Sequence, residues 1–197
     1  MKLIGFYDYT VILTYGNILS SVCGVFLAVR GQYAWAVICL MLAGLFDMFD
    51  GTVARTKKNR TAQEKNFGIQ LDSLCDMVSF GLLPALLSYL LGMDGWIGIV
   101  ILIVYCLCGL IRLAYYNVLE IDRQRIEEGN NTVFHGLPIT SSAIIFPLLF
   151  GMQYVLPAVG FSVVLHAGML CTALLFVLDI PVPKLDLGRI FAKKIRT

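Results

Sequence analysis

Asp47-Met48-Phe49-Asp50-Gly51-Thr52-Val53-Ala54-Arg55, followed after twelve residues by Gly68-Ile69-Gln70-Leu71-Asp72-Ser73-Leu74-Cys75-Asp76, sets four carboxylates inside two apolar stretches. An Asp near the centre of a membrane helix costs roughly 2.5 to 3.5 kcal/mol, so four require on the order of 10 kcal/mol of compensation. Bound cations can supply it, and ionisable residues within a membrane mark functional sites by default.

The surrounding chain sets the architecture. Of 197 residues, 58% are hydrophobic and 14% charged, which is more apolar sequence than a soluble domain of this length needs. Reading for runs of about 20 apolar residues predicts six helices, roughly 14–29, 33–54, 67–91, 95–119, 138–157 and 160–178. The expected fold is all-α: a polytopic bundle of six transmembrane helices forming one membrane domain over 1–197. The opening MKLIGFYDYT has no apolar core followed by a small-residue cleavage site, so no cleavable signal is expected.

Lys and Arg placement orients the bundle, because short cytoplasmic loops hold the positive excess. With both N- and C-termini cytoplasmic, six spans put Lys2, Arg55, Lys57, Lys58, Arg60, Lys65, Arg123, Arg125, Lys184, Arg189, Lys193, Lys194 and Arg196 on that side. The other side receives only Arg30, and Arg112 lies within the fourth span. The net charge is only +2, but its basic loops face one leaflet of the cell membrane. Membrane lipids with anionic headgroups, not nucleic acid, are their expected neighbours. Cys23, Cys39, Cys75, Cys106, Cys108 and Cys171 all fall in apolar spans without a C-x-x-C pair, and read as small packing residues.

Helical spacing makes the carboxylates converge. Asp47 and Asp50 are three apart and Asp72 and Asp76 four apart, so each pair shares one helix face. The second span runs towards the cytoplasm and the third returns from it. At about 1.5 Å per residue, all four carboxylates lie roughly 6 to 15 Å inside the cytoplasmic helix ends. Gly44, Gly51, Ala54 and Gly68 form a small-residue surface that lets helices, or a nucleotide, approach the backbone closely; for Gly44 the packing reading is preferred. All-oxygen ligation suits Mg²⁺ or Mn²⁺, and two such ions balance four carboxylates and can clamp a phosphoryl transfer. Arg55 is a phosphate partner by its permanent charge and bidentate geometry. Asp76, deepest of its pair, is the candidate general base.

The arrangement D-x-x-D-G-x-x-A-R then G-x-x-x-D-x-x-x-D resembles the motif of the CDP-alcohol phosphotransferase family at all eight fixed positions. The resemblance implies a membrane enzyme, usually a homodimer, that displaces CMP from a CDP-linked lipid or alcohol with divalent metal. It implies that Asp47, Asp50, Asp72 and Asp76 bind metal, that Asp76 also deprotonates the acceptor, and that Gly51, Ala54, Arg55, Gly68 and Asp72 seat the CDP moiety. Thr14 and Asn17 resemble a common family entry segment. One departure is the twelve residues between Arg55 and Gly68, where the family usually has about eight; a longer turn is expected, and loop insertions are cheap.

Within the family, Asp72-Ser73-Leu74-Cys75-Asp76-Met77-Val78-Ser79-Phe80-Gly81, Arg112-Leu113-Ala114 with Asn117, and Phe134-His135-Gly136-Leu137-Pro138 resemble the integral membrane phosphatidylserine synthases. That resemblance implies L-serine as acceptor, a CDP-lipid as donor and an active site facing the cytoplasm. A zwitterionic amino acid needs a cation for its carboxylate, and Arg112 is the intramembrane candidate, with Asn117 and His135 as further serine-binding candidates. A salt bridge from Arg112 to one of the aspartates is the competing reading. His166 reads as a satisfied packing residue. Two rivals stay open: a family member using glycerol 3-phosphate or inositol phosphate, and a divalent-cation transporter, which should place its acids near the midplane of two related halves.

Overall fold

The computed structural model describes residues 5–6, 9–54, 57, 61–125, 133–179 and 181–183, with only the backbone described at 10, 52, 54, 122–125, 133–135 and 181–183, among them Ala54 and His135. After a 3₁₀ turn, α1 (Ile12–Val29) and α2 (Tyr33–Ala54) form a hairpin. Then come α3 (Ala62–Asp76), a π-helical segment (Met77–Leu82) and α4 (Leu83–Leu90), followed by α5 (Trp96–Arg125), α6 (Ser142–Gly151) and α7 (Ala158–Val177).

The polarity of α1 is inside out. Its buried residues are Thr14, Asn17, Ser21, Gly24 and Ala28, recurring at the three- and four-residue spacing of one helix face. Ile12, Leu19, Phe26 and Val29 point outward. A helix in water would bury the second set; in lipid, tails solvate those side chains as well as a protein core does, so small and polar residues take the interhelical seam. Gly24 and Gly44 show why: a Cβ at Gly24 would lie 2.9 Å from Leu83, and one at Gly44 2.6 Å from Ala143. Gly44 therefore packs α2 on α6, as preferred from sequence.

Residues Ala62–Leu90 form the central rod, with 56% of its apolar window enclosed against 28% for α1, α2 and α5. It starts five residues earlier than the apolar run because Thr61 and Glu64 form a capping box, the Thr61 side chain accepting from Glu64 N–H and Glu64 accepting from Thr61 N–H. Part of the extra sequence between Arg55 and Gly68 is thus helical. Measured from Ala62, Asp76 lies about 21 Å along the rod, deeper than the expected 15 Å. The rod is interrupted beside Asp76. Pro84 has no N–H, so the Phe80 carbonyl lacks its α-helical donor; the Tyr105 hydroxyl of α5 donates to it instead at 2.6 Å. Around this gap the backbone pairs i to i+5, with Leu83 N–H on Val78 O.

Among the described residues, five helices are long and apolar enough to cross a membrane. The expected fifth span resolves, among the described residues, into a shorter apolar segment, Ile139–Tyr154, about 24 Å long at helical rise. Pro147 lies within α6 and 3₁₀ turns flank it at Ile139–Ser141 and Met152–Tyr154. Proline removes a backbone donor and pushes its neighbours out of the α region. The all-α expectation holds apart from one three-residue ribbon, Val133–His135 antiparallel to Pro181–Pro183.

Candidate metal centre

α2 and α3 run antiparallel, so the first carboxylate of one faces the last of the other. Asp47 is within hydrogen-bonding range of Asp76, and Asp50 of Asp72. Oxygens of Asp47, Asp50 and Asp72 all lie within 4.8 Å of one another. Asp72 Oδ1 is buried and has no hydrogen-bond partner, while Asp50 and Asp76 are only 8% and 5% exposed. An orphaned carboxylate oxygen beside like charges is unfavourable. A hard divalent cation removes both difficulties, so the donor set fits one.

Polar residues of α1 support the acids. The Thr14 hydroxyl donates to Asp50 at 3.3 Å, and the Asn17 amide donates to Asp76 at 3.2 Å. Gly51 N–H contributes a backbone hydrogen bond to the Asp50 carboxylate. Thr14 and Asn17 were singled out in the sequence as an entry segment; Ser79 and Ser21, which continue the chain of hydrogen bonds, were not. For Ser21 the signal was present in the polar stripe Thr14, Asn17, Ser21 of α1; Ser79 stood only within the stretch Asp72 to Gly81.

Other candidates sit farther along the bundle. Asn117 accepts from Ser73 at 2.7 Å and donates to Gln70 at 3.4 Å, tying α5 to α3 one turn before Asp76. Arg112, 6% exposed, donates from Nε to Leu137 O at 2.7 Å and from Nη2 to Gly136 O at 3.3 Å. Its guanidinium stacks 3.5 Å above the Tyr116 ring. No carboxylate among the described residues pairs with it, so the salt-bridge reading is not realised. Gly136 has φ +78° and lies against the carbonyls ending α7, where Leu137 N–H bonds Leu175 O. Gly51 is exposed and Gly68 half-buried on the α2 and α3 faces. Arg55 lies outside the described residues. His166 bonds Ser162 O at 2.7 Å, a satisfied packing residue, and the six cysteines are free.

A bundle of apolar helices with this carboxylate cluster defines an integral membrane protein with a candidate metal centre. The chain belongs to the CDP-alcohol phosphatidyltransferase family, whose model matches residues 10–178. It is 32% identical over 188 residues to the archaetidylserine synthase of Methanothermobacter thermautotrophicus, covering 94% of this chain and 73% of that protein. It is 37% identical to the CDP-diacylglycerol–serine O-phosphatidyltransferase of Saccharomyces cerevisiae, over 58% of this chain and 40% of that protein. It is 33% identical to the enzyme of the same name from Methanocaldococcus jannaschii, over 73% of this chain and 59% of that protein. No solved structure matches the chain.

Proposed function

We propose that this protein transfers the phosphatidyl group, or its ether-lipid equivalent, from a CDP-lipid to the hydroxyl of L-serine, releasing CMP. The observation that carries the reading is the Asp47, Asp50 and Asp72 cluster, standing in the family's motif. The relatives named above supply serine as the acceptor.

Asp47, Asp50 and Asp72 hold divalent metal, Mg²⁺ or Mn²⁺, with Asp76 completing a two-ion set. Bound there, the metal supplies Lewis-acid stabilisation of the pyrophosphate and of the departing CMP. Asp76 takes the proton of the serine hydroxyl as its oxygen forms a bond to the lipid-side phosphorus and the bond to CMP breaks. Gly51 and Gly68 leave room for the CDP moiety between α2 and α3, and Ala54 and Arg55 complete the family's motif for it. Arg112 uses two of its five donors on backbone carbonyls, which leaves others for the serine carboxylate; Asn117 and His135 are the further serine-binding candidates.

Ile139–Tyr154 makes the sixth crossing with both termini cytoplasmic, supported by the one-sided Lys and Arg distribution. The site then faces the cytoplasm of a cell membrane, and the working unit is a homodimer. The decisive experiment incubates purified protein with CDP-lipid, Mg²⁺ or Mn²⁺ and a panel of acceptors, and follows CMP. Release that depends on both metal and serine is expected; release driven by glycerol 3-phosphate and not by serine would overturn the acceptor.

A further inference from the structure

Behind Asp76 runs a chain of buried hydrogen bonds that the transfer chemistry does not explain. Ser21 Oγ donates to Ser79 Oγ at 2.6 Å, Ser79 Oγ donates to Asn17 Oδ1 at 2.6 Å, and Asn17 Nδ2 donates to Asp76 Oδ1 at 3.2 Å. Ser21, Ser79 and Asn17 are 0% exposed, so no solvent can stand in for any member. A series of three residues from α1 and the π segment thus ends on one oxygen of one carboxyl.

The polarity of this chain is set by proton counting. A hydroxyl has one proton to give. Ser79 gives its proton to Asn17 Oδ1 and so can only accept from Ser21. With its carbonyl oxygen engaged, the Asn17 side chain must present NH₂ to Asp76. Flipping the amide would set a carbonyl against a carboxylate and reverse the Ser79–Ser21 bond. The Asp76 side chain is therefore held by a donor from α1 on Oδ1, while Asp47 of α2 lies within hydrogen-bonding range of the same carboxyl. The Thr14 bond to Asp50 has no such second member among the bonds described. The π segment matters here too. Tyr105 caps Phe80 O and bonds Ser142 Oγ at 2.8 Å, which fixes the backbone carrying Ser79.

We infer that Asn17, locked by Ser79 and Ser21, is the positioning residue that aims the Asp76 carboxyl at the acceptor hydroxyl. This rests on Asp76 being the group that takes the acceptor's proton. Asn17 acts through Asp76 and touches no substrate. Oxygens of Asp47, Asp50 and Asp72 form the close cluster without Asp76, so although Asp76 completes the metal set, the effect falls on turnover more than on metal or donor binding.

The test measures kcat, KM for CDP-lipid, Mn²⁺ affinity and melting temperature for Asn17→Ala, Ser79→Ala, Ser79→Thr and the Asn17→Ala/Ser79→Ala double variant, with Asp76→Asn alongside. A hydrogen bond to a charged group corresponds to a loss in kcat of about 10- to 100-fold for Asn17→Ala, with KM for CDP-lipid unchanged, Mn²⁺ affinity falling less than kcat, and the melting temperature lowered because Ser79 and Asp76 lose a buried partner. Ser79→Ala loses less, Ser79→Thr restores turnover through its hydroxyl, and the double variant is no worse than Asn17→Ala, because both members act through one bond. Unchanged kcat in the single variants, losses that multiply in the double variant, or a loss of Mn²⁺ affinity matching the loss of kcat would each overturn the inference. If Asn17→Ala does not fold, the Ser79→Ala and Ser79→Thr pair decides. An active Asp76→Asn would sink the base assignment itself, whereas an inactive Asp76→Asn beside unaffected Asn17 and Ser79 variants would sink only the positioning role.

Discussion

Two interhelical seams of this bundle are built on opposite plans. Around α1, polar side chains bond one another across helices, to α2 and to the central rod: Thr14 to Asp50, Asn17 to Asp76, Ser79 to Asn17, Ser21 to Ser79. Between α5 and α7, the contact is apolar, with Leu102, Leu165, Met169, Ala173 and Phe176 buried and the Tyr105 and Phe176 rings 5.4 Å apart. Polar groups there bond backbone instead: Thr172 to Gly168 O, His166 to Ser162 O, Arg112 to Leu137 O. A side chain bonded to its own helix does not care how the neighbour is turned. Side chains bonded across helices fix one register, which is what a site with several converging carboxylates demands.

Substitutions that break this contrast should span a wide range of effects. Asp76→Asn is the most severe: removing a general base costs about 10²- to 10⁴-fold in turnover, read as CMP release, while CDP-lipid binding is partly retained. Arg112→Ala should raise the serine KM by about 10- to 100-fold, the value of a charge-assisted contact, with little change in the CDP-lipid dependence; an unchanged serine KM returns Arg112 to holding the Gly136–Leu137 turn alone. Tyr105→Phe leaves the Phe80 carbonyl buried and unsatisfied and should lower stability by about 1–3 kcal/mol, measured by thermal unfolding in detergent. Gly44→Ala forces α2 from Ala143 and should cost about 1–2 kcal/mol in the same assay. Thr172→Val, at a side chain that only bonds back to its own helix, should shift stability by less than about 0.5 kcal/mol. A Thr172 effect as large as that of Tyr105 would erase the distinction between the seams.

Legibility differed by element for physical reasons. The four aspartates were readable because helical period alone puts residues three and four apart on one face. The start of α3 was encoded in Thr61-x-x-Glu64, yet it precedes the apolar run in polar sequence, so a search for apolar length placed it at 67. The break after Asp76 was hidden, since Pro84 frees a carbonyl but only Tyr105, twenty-one residues on and on another helix, supplies the donor that makes the break tolerable. In the segment after Pro138 the prolines were visible, but not whether Pro147 would be carried within a helix or shorten it. Arg112 was marked by its charge in an apolar span, whereas its acceptors came from a turn twenty-four and twenty-five residues later in sequence.

The sequence by itself determined which residues carry charge into an apolar environment, and the spacing that puts each pair of acids on one face. Those are local properties, set by residue chemistry and the geometry of a single helix. Only the tertiary structure decided that Asp47 meets Asp76 and Asp50 meets Asp72, that Asn17 is turned to donate to Asp76, and that Arg112 spends two donors on backbone. Each of these joins residues of different elements, and antiparallel packing, close approach at glycine and the need to satisfy every buried polar group are what select them.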